Sequence, residues 1–145
     1  MSFQFTLQKV MQVREREKNQ GQAEYQKAID QFEKVATKLY ELLKKKESLE
    51  ERARKQISVG TSIYELQQNQ NEMMRLQQEI QLHQRETQRA RDKMSMKEQD
   101  FLQKAIECKK YEKMKQLKEN EFIEEEKRKE AVQMDEISIQ LFAKR

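Results

Sequence analysis

The sequence is poor in the residues that interrupt helices. It contains no proline and no tryptophan in 145 residues, and its two glycines are Gly21 and Gly60. Proline removes a backbone hydrogen bond and glycine loses conformational entropy in a helix, so their scarcity favours long helices. No apolar run approaches the length that crosses a bilayer, and residues 1–10 lack the charged start and apolar stretch of a secretion signal. We therefore expect a helical protein of the cytoplasm that does not insert into a membrane.

Groups that carry catalysis or hold metals are equally scarce. The chain has one histidine, His83, and one cysteine, Cys108, which lie about 38 Å apart if one helix carries both. That distance excludes a catalytic Cys–His pair. A lone cysteine cannot form a disulfide within the chain, which agrees with a reducing compartment. There is no glycine-rich phosphate loop, and a helix pair offers no concave pocket to desolvate a carboxylate. The sequence predicts no enzyme activity, no metal site and no cofactor.

The composition favours an extended coiled coil over a compact domain. Charged residues make up 39% of the chain and hydrophobic residues 35%, too little apolar material for a compact core. Disorder is an alternative, but the abundant Glu, Lys, Gln, Arg, Leu and Met are good helix formers and the apolar residues are periodic. The net charge of +4 arises from 30 basic and 26 acidic residues that are interspersed, which does not indicate a nucleic-acid binder.

The first half of the chain carries one apolar seam with alternating steps of three and four residues. Such a repeat places a stripe of side chains against a partner helix. The seam is interrupted by polar or small residues at Arg14, Lys18 and Gly21, and again at Lys46. The interrupted section is either a local weakness or a flexible contact for a third chain. The apolar members of the first seam are Leu7, Met11, Tyr25, Ala28, Phe32, Val35, Leu39, Leu42, Leu49 and Ala53.

Residues 57–63 interrupt the seam and predict a turn. Gly60 can take the left-handed conformation that closes a helix C-terminus. Ser62 then begins the next helix, and Glu65 completes a Ser-x-x-Glu capping box. A connection of about three or four residues is typical of an antiparallel helix pair. A glycine kink in one continuous helix is the alternative.

The second half carries a thinner and more polar seam. It is also heptad-spaced, and its charge is uneven: residues 85–118 contain 11 basic and 6 acidic side chains, whereas residues 119–136 contain 3 and 8. Such blocks are solvated faces or docking surfaces for a complementary partner. The members of the second seam are Met73, Leu76, Ile80, His83, Thr87, Ala90, Met94, Phe101, Cys108, Tyr111, Phe122, Val132 and Ile139.

These signals predict an all-α fold, a single coiled-coil hairpin over residues 1–145. The first arm is expected over about 3–57, the turn over about 58–62 and the second arm over about 63–143. If the bend centres near Gly60, residue i faces about residue 120 − i, and the last ~26 residues overhang without a partner arm. An antiparallel dimer of two chains satisfies the same heptads and stays open as an alternative.

A candidate contact stripe lies early in the second arm. Met73, Leu76, Ile80 and His83 share one helical face and are slightly too polar for a sealed seam, as in helix-in-groove recognition. The alternative is that they only fill the seam, with His83 as a half-buried imidazole. The partner-binding prediction consists of these four residues.

Several short motifs, in their order and spacing, resemble the bacterial flagellar export family FliJ over nearly the whole length. They are residues 3–10 (Phe-Gln-Phe-Thr-Leu-Gln-Lys-Val), 24–26, 38–41, the turn 60–66, the Leu76, Ile80 and His83 spacing, and 134–139.

The resemblance implies a component of the flagellar type III export apparatus, in the cytoplasm and peripherally associated with the membrane at the basal body. Family members resemble the two-helix shaft of rotary ATPases. They bind the hexameric export ATPase FliI, link it to the export-gate protein FlhA and handle the export chaperones of late substrates. The gate contact carries over to Leu76 and His83, with Ile80 beside them, while Glu72 and Glu79 stand where other members can carry Phe and Ala. A structural coiled-coil spacer or tether is the alternative function.

Overall fold

The protein consists of two α-helices joined by a short turn. The structure, a computed structural model, describes residues 2–144. Helix α1 is Gln8–Val59, with 52 residues, and helix α2 is Ile63–Ala143, with 81 residues. No strand occurs within that range, and the predicted all-α helix pair is confirmed. Neither helix has a described stretch that is both long and apolar enough to cross a membrane.

The turn is built from local backbone chemistry. Gly60 has a φ of 96°, and its N–H donates to the carbonyl oxygen of Gln56 at 3.0 Å, which closes α1. The hydroxyl of Ser62 accepts the backbone N–H of Glu65 at 3.2 Å and so caps the start of α2. In a full capping box the Glu65 carboxylate would reach back to the Ser62 N–H, but here it accepts a hydrogen bond from the Thr61 hydroxyl.

Contacts within the chain divide it into two compact units. The turn unit is Gly21–Phe101, and the termini unit combines residues up to Gln20 with those from Leu102 onward. That all 145 residues behave as a single hairpin domain stays a prediction.

The core of the turn unit is a narrow stripe between the two helices. Two leucines of α1 face a leucine and an isoleucine of α2, and each is at most 6% exposed. Burying one such side chain contributes about 1.5–3 kcal/mol, so a few of them hold the pair together. The four residues are Leu42, Leu49, Leu76 and Ile80, and Leu39 and Met73 pack against them.

The pairing in the turn unit is antiparallel, with a register that differs slightly from the prediction. The side chains of Gln56 and Asn69 are hydrogen-bonded, and the ring centres of Tyr25 and Phe101 are 6.3 Å apart. The 120 − i relation expected partners near residues 64 and 95. The difference arises because α2 begins only at Ile63, which moves the centre of the connection beyond Gly60.

In the termini unit, the first arm begins later than predicted. Helix α1 starts at Gln8 rather than near residue 3. The Gln8 N–H donates to the carbonyl oxygen of Phe5 at 3.1 Å, and the ring of Phe3 packs on Phe122 with centroids 5.6 Å apart. Aromatic residues favour extended backbone over helix, and this packing gives Phe3 an apolar contact outside a helix.

The heptad positions of the second arm that lie in the expected overhang are exposed. Beyond Phe122 every described residue except Glu126 is exposed. Val132 and Ile139, predicted as seam members, are 52% and 68% exposed. Phe3 already lies against Phe122, and of the described residues only the exposed Ser2 precedes it, so the first arm does not cover the positions that follow.

We predict that Gly60→Ala destabilises the protein by about 1 kcal/mol. An added Cβ at this position would meet nothing within 4 Å, so the loss comes from placing an L-residue at positive φ rather than from a clash. Urea unfolding followed by circular dichroism measures the change. Gln67→Ala, at an exposed helical position, is the control and should change stability by less than about 0.5 kcal/mol. Equal stability of Gly60→Ala and the parent chain would contradict the assigned turn.

Candidate partner-binding surfaces

The predicted contact stripe faces α1 rather than solvent. Leu76 and Ile80 are 5% and 6% exposed and belong to the core of the turn unit, and Met73 packs against that core. The four residues of the stripe share a face, but a partner reaches Leu76 and Ile80 only if the helices separate. Their role in partner binding stays a prediction.

His83 lies at the edge of the same seam. Its side chain is half-buried, and its Nδ1 lies 2.9 Å from the carbonyl oxygen of Glu79. The hydroxyl of the buried Thr87 donates to the carbonyl oxygen of His83 at 2.7 Å. His83 and Met73 are thus the members of the stripe that retain an accessible side.

Glu72 and Glu79, the two carboxylates beside the stripe, are both exposed. Glu72 forms an ion pair with Arg52 of the other helix at 3.4 Å, with both side chains about half exposed, and Glu79 lies one turn before His83. An exposed ion pair of this kind contributes little to stability. The Glu72 carboxylate nevertheless contacts a side chain of α1 rather than only solvent.

Four apolar side chains beside the turn are largely exposed, which the heptad pattern did not predict. We call this surface the tip and define it by these side chains: Ile57 at 64%, Val59 at 87%, Ile63 at 76% and Tyr64 at 68%. Ile57, Val59 and Ile63 lie within residues 57–63, which interrupt the heptads and predict the turn, whereas Tyr64 lies in the predicted second arm. The overlooked signal is charge, since Glu65 is the single charged residue in 56–71 while the whole chain is 39% charged.

An open groove between the two helices adjoins the tip. Its apolar lining continues from the tip residue Ile57 toward the core of the turn unit. The apolar members of the lining are Leu49, Ala53, Ile57, Leu66 and Met73, and the polar members are Glu50, Arg54, Asn69 and Gln70.

The termini unit carries a charged side chain in its seam. Arg14, predicted to make this section loose, donates from Nη1 to Glu17 at 3.0 Å, and its Nε lies 3.9 Å from a carboxylate oxygen of Glu107. Its guanidinium carbon lies 6.0 Å from the ring centre of Tyr111. Hydrogen bonding to Glu17, and then to Tyr111, raises the pKa of Arg14 above its usual value. The Nε atom is buried and has no hydrogen-bond partner, which is a local cost of this arrangement.

Cys108 is the most buried side chain of the termini unit, at 1% exposure. Its Sγ lies 3.7 Å from the carboxylate of Glu112, and the ligand atoms of Glu15, Cys108 and Glu112 lie within 4.8 Å of one another. Burial, followed by the charge of Glu112, raises the pKa of the Cys108 thiol. A protonated thiol is a poor nucleophile and a poor metal ligand. Glu15 and Cys108 are far apart in sequence, so their proximity depends on the helix register.

We predict that the Cys108 thiol is protected in the folded protein. It should react with a disulfide reagent at least about a hundredfold more slowly than in denaturant, because it is both buried and protonated. Because its folded pKa is raised, the folded state holds its proton longer, and stability should fall as the pH rises above the ordinary thiol pKa. Ser95→Cys in a Cys108→Ala background gives the exposed control. Equal rates for the two cysteines would contradict this packing.

Two comparisons with known proteins find the same family. The family model described as "Flagellar FliJ protein" matches residues 3–145. A flagellar FliJ protein of Bacillus subtilis (strain 168) is 38% identical over 142 residues, which cover 98% of this chain and 97% of that protein. No solved structure shows significant similarity to the chain. With matches that extend over nearly its whole length, the chain belongs to the flagellar FliJ family.

Proposed function

We propose that the protein is a non-catalytic component of flagellar protein export that binds the export ATPase FliI, the export-gate protein FlhA and the chaperones of late substrates. The observation that carries the proposal is the family match over residues 3–145. In this proposal the protein works in the cytoplasm and reaches the membrane face of the basal body through its partners.

The two-helix architecture supports a shaft role toward the ATPase. A shaft within a ring needs a polar exterior, because it makes shifting contacts rather than one sealed interface. Several ion pairs on the helix surfaces have both side chains largely exposed, such as Lys55–Glu51 and Lys118–Glu121. Exposed pairs contribute little individually, so such a surface can exchange contacts at low cost.

We predict that the purified protein raises ATP turnover by the export ATPase and hydrolyses no ATP itself. The chain has no glycine-rich phosphate loop to hold the nucleotide. Turnover is measured with the ATPase alone, with this protein, and with an unrelated coiled coil of similar charge. A structural spacer would leave turnover at the level of the unrelated coiled coil. Turnover by the protein alone that persists through purification would contradict its non-catalytic role.

The gate contact remains assigned to the stripe Met73, Leu76, Ile80 and His83. Since Leu76 and Ile80 are buried in the turn unit, the direct contact would fall to the half-buried Met73 and His83. The buried pair would then position this surface by keeping α2 packed on α1.

We predict opposite outcomes for two alanine variants. Leu76→Ala should lower the free energy of unfolding by about 2–5 kcal/mol, because it leaves a cavity in the core. His83→Ala should leave stability within about 1 kcal/mol and weaken gate binding several-fold. Thermal melting and a titration with the purified gate protein measure both effects. If His83→Ala binds as the parent does while Leu76→Ala loses its melting transition, the stripe serves only the seam.

A further inference from the structure

In the termini unit, helix α2 carries a second apolar stripe that is separate from the buried seam. Its positions follow one another at steps of four and three residues, which is the spacing of a coiled-coil seam. Ile106 lies two residues before the buried Cys108, about 200° away around the helix. We call this surface the outer stripe. Its apolar members, each at least 45% exposed, are Leu102, Ile106, Ile123, Met134, Ile137 and Leu141.

The polar members of the outer stripe fill the remaining positions of the same repeat and carry charges of both signs. Lysines occupy the part before residue 119, and a glutamate lies in the part that follows Phe122. A helical face that keeps one heptad repeat over this length and is exposed throughout can pair with another helix. The polar members, all exposed, are Lys109, Lys113, Gln116, Asn120, Lys127 and Glu130.

Charge determines the direction in which a second copy can pair along the outer stripe. A parallel pair would place each charged side chain beside its own counterpart, Lys113 beside Lys113 and Glu130 beside Glu130, which is repulsive. In an antiparallel pair, residue i can face about residue 243 − i of the other copy. Lys113 of each copy then lies beside Glu130 of the other. The outer stripe is therefore complementary to itself in the antiparallel direction.

The apolar positions select the same register. When residue i faces about residue 243 − i, the apolar ends of the stripe meet each other across the pair. A shift by one heptad in one direction places Ile106 beside Glu130, and a shift in the other direction places Lys113 beside Ile137. Both shifts bury a charge without an opposite charge, which is costly. The apolar pairs of the selected register are Leu102–Leu141 and Ile106–Ile137.

We infer that the outer stripe joins two copies of this chain through antiparallel α2 helices. The inference is independent of the proposed function, and each chain keeps its own helix pair. From Leu102 to Leu141 the contact extends over about 60 Å of helix, long enough for the ~800 Å² per partner of a standard interface. Polar layers such as Asn120 lower the stability of a coiled coil while they fix its register, so the dimer should be weak and reversible.

The test is sedimentation of the full chain and of charge variants over a range of concentrations. We expect the parent to dimerise with a Kd on the order of 10 μM. Lys113→Glu and Glu130→Lys each place like charges together twice in the dimer, and each should raise Kd about tenfold or more. Lys129→Glu makes the same charge change at an exposed position outside the stripe and should change Kd less than about threefold.

An equimolar mixture of the Lys113→Glu and Glu130→Lys chains provides the decisive measurement. In an antiparallel pair of these two chains both charged layers again combine opposite charges, so the mixture should dimerise as the parent does. Ile106→Gln with Ile137→Gln tests the apolar layers without changing charge. It should abolish the dimer and leave helicity by circular dichroism unchanged, because both side chains are largely exposed in the single chain.

Three outcomes would overturn the inference. The first is a parent chain that remains monomeric at about 200 μM, well above the expected Kd. The second is a dimer that neither Lys113→Glu nor Glu130→Lys weakens, as expected of two chains that exchange their first arms. The third is a mixture of the two charge variants that stays monomeric, because the antiparallel register would then be wrong.

Discussion

Burial of one apolar stripe per helix is the interaction on which this structure depends. In the turn unit, Leu42 and Leu49 meet Leu76 and Ile80, and no third described element covers the opposite faces. A pair of helices has no other interior, and isolated helices gain most of their stability from packing of this kind. Each seam residue therefore matters more than it would in a globular core, where a residue has neighbours on all sides.

This constraint limits where a partner can find apolar contacts. A side chain that is buried in the seam is not available to another protein. Leu76 therefore stabilises the helix pair and is not accessible to a partner. Apolar side chains that remain free must lie where the pairing ends or on the outer faces. At the turn this leaves Ile63 and Tyr64 exposed, and beyond Phe122 it leaves Val132 and Ile139 exposed.

The sequence predicted the elements governed by local chemistry and by period. The heptads identified the seam residues of the turn unit, because a period of 3.5 determines which face of a helix is apolar. The turn followed from Gly60 and Ser62, whose backbone requirements are local. The extended start at Phe3 could not be predicted, because it depends on a ring, Phe122, that only the folded chain brings near.

The surroundings of Arg14 and Cys108 escaped prediction for a related reason. A shift of a few residues in the register decides whether Glu107, Cys108 or Tyr111 meets a given position of the first arm. Periodicity gives the face but not this offset, which depends on where α2 begins after the turn. The sequence therefore shows that Arg14 and Cys108 are present in the termini unit, but it does not show which side chains they contact.

The contrast between the charged helix surfaces and the neutral tip suggests a division of roles along the sequence. Exposed ion pairs such as Arg52–Glu72 keep the helices hydrated and contribute little binding energy of their own. Apolar side chains without nearby charge can be desolvated at low cost when a matching surface arrives. The same turn that lets the helices pair leaves Ile57, Val59, Ile63 and Tyr64 largely exposed on either side of it.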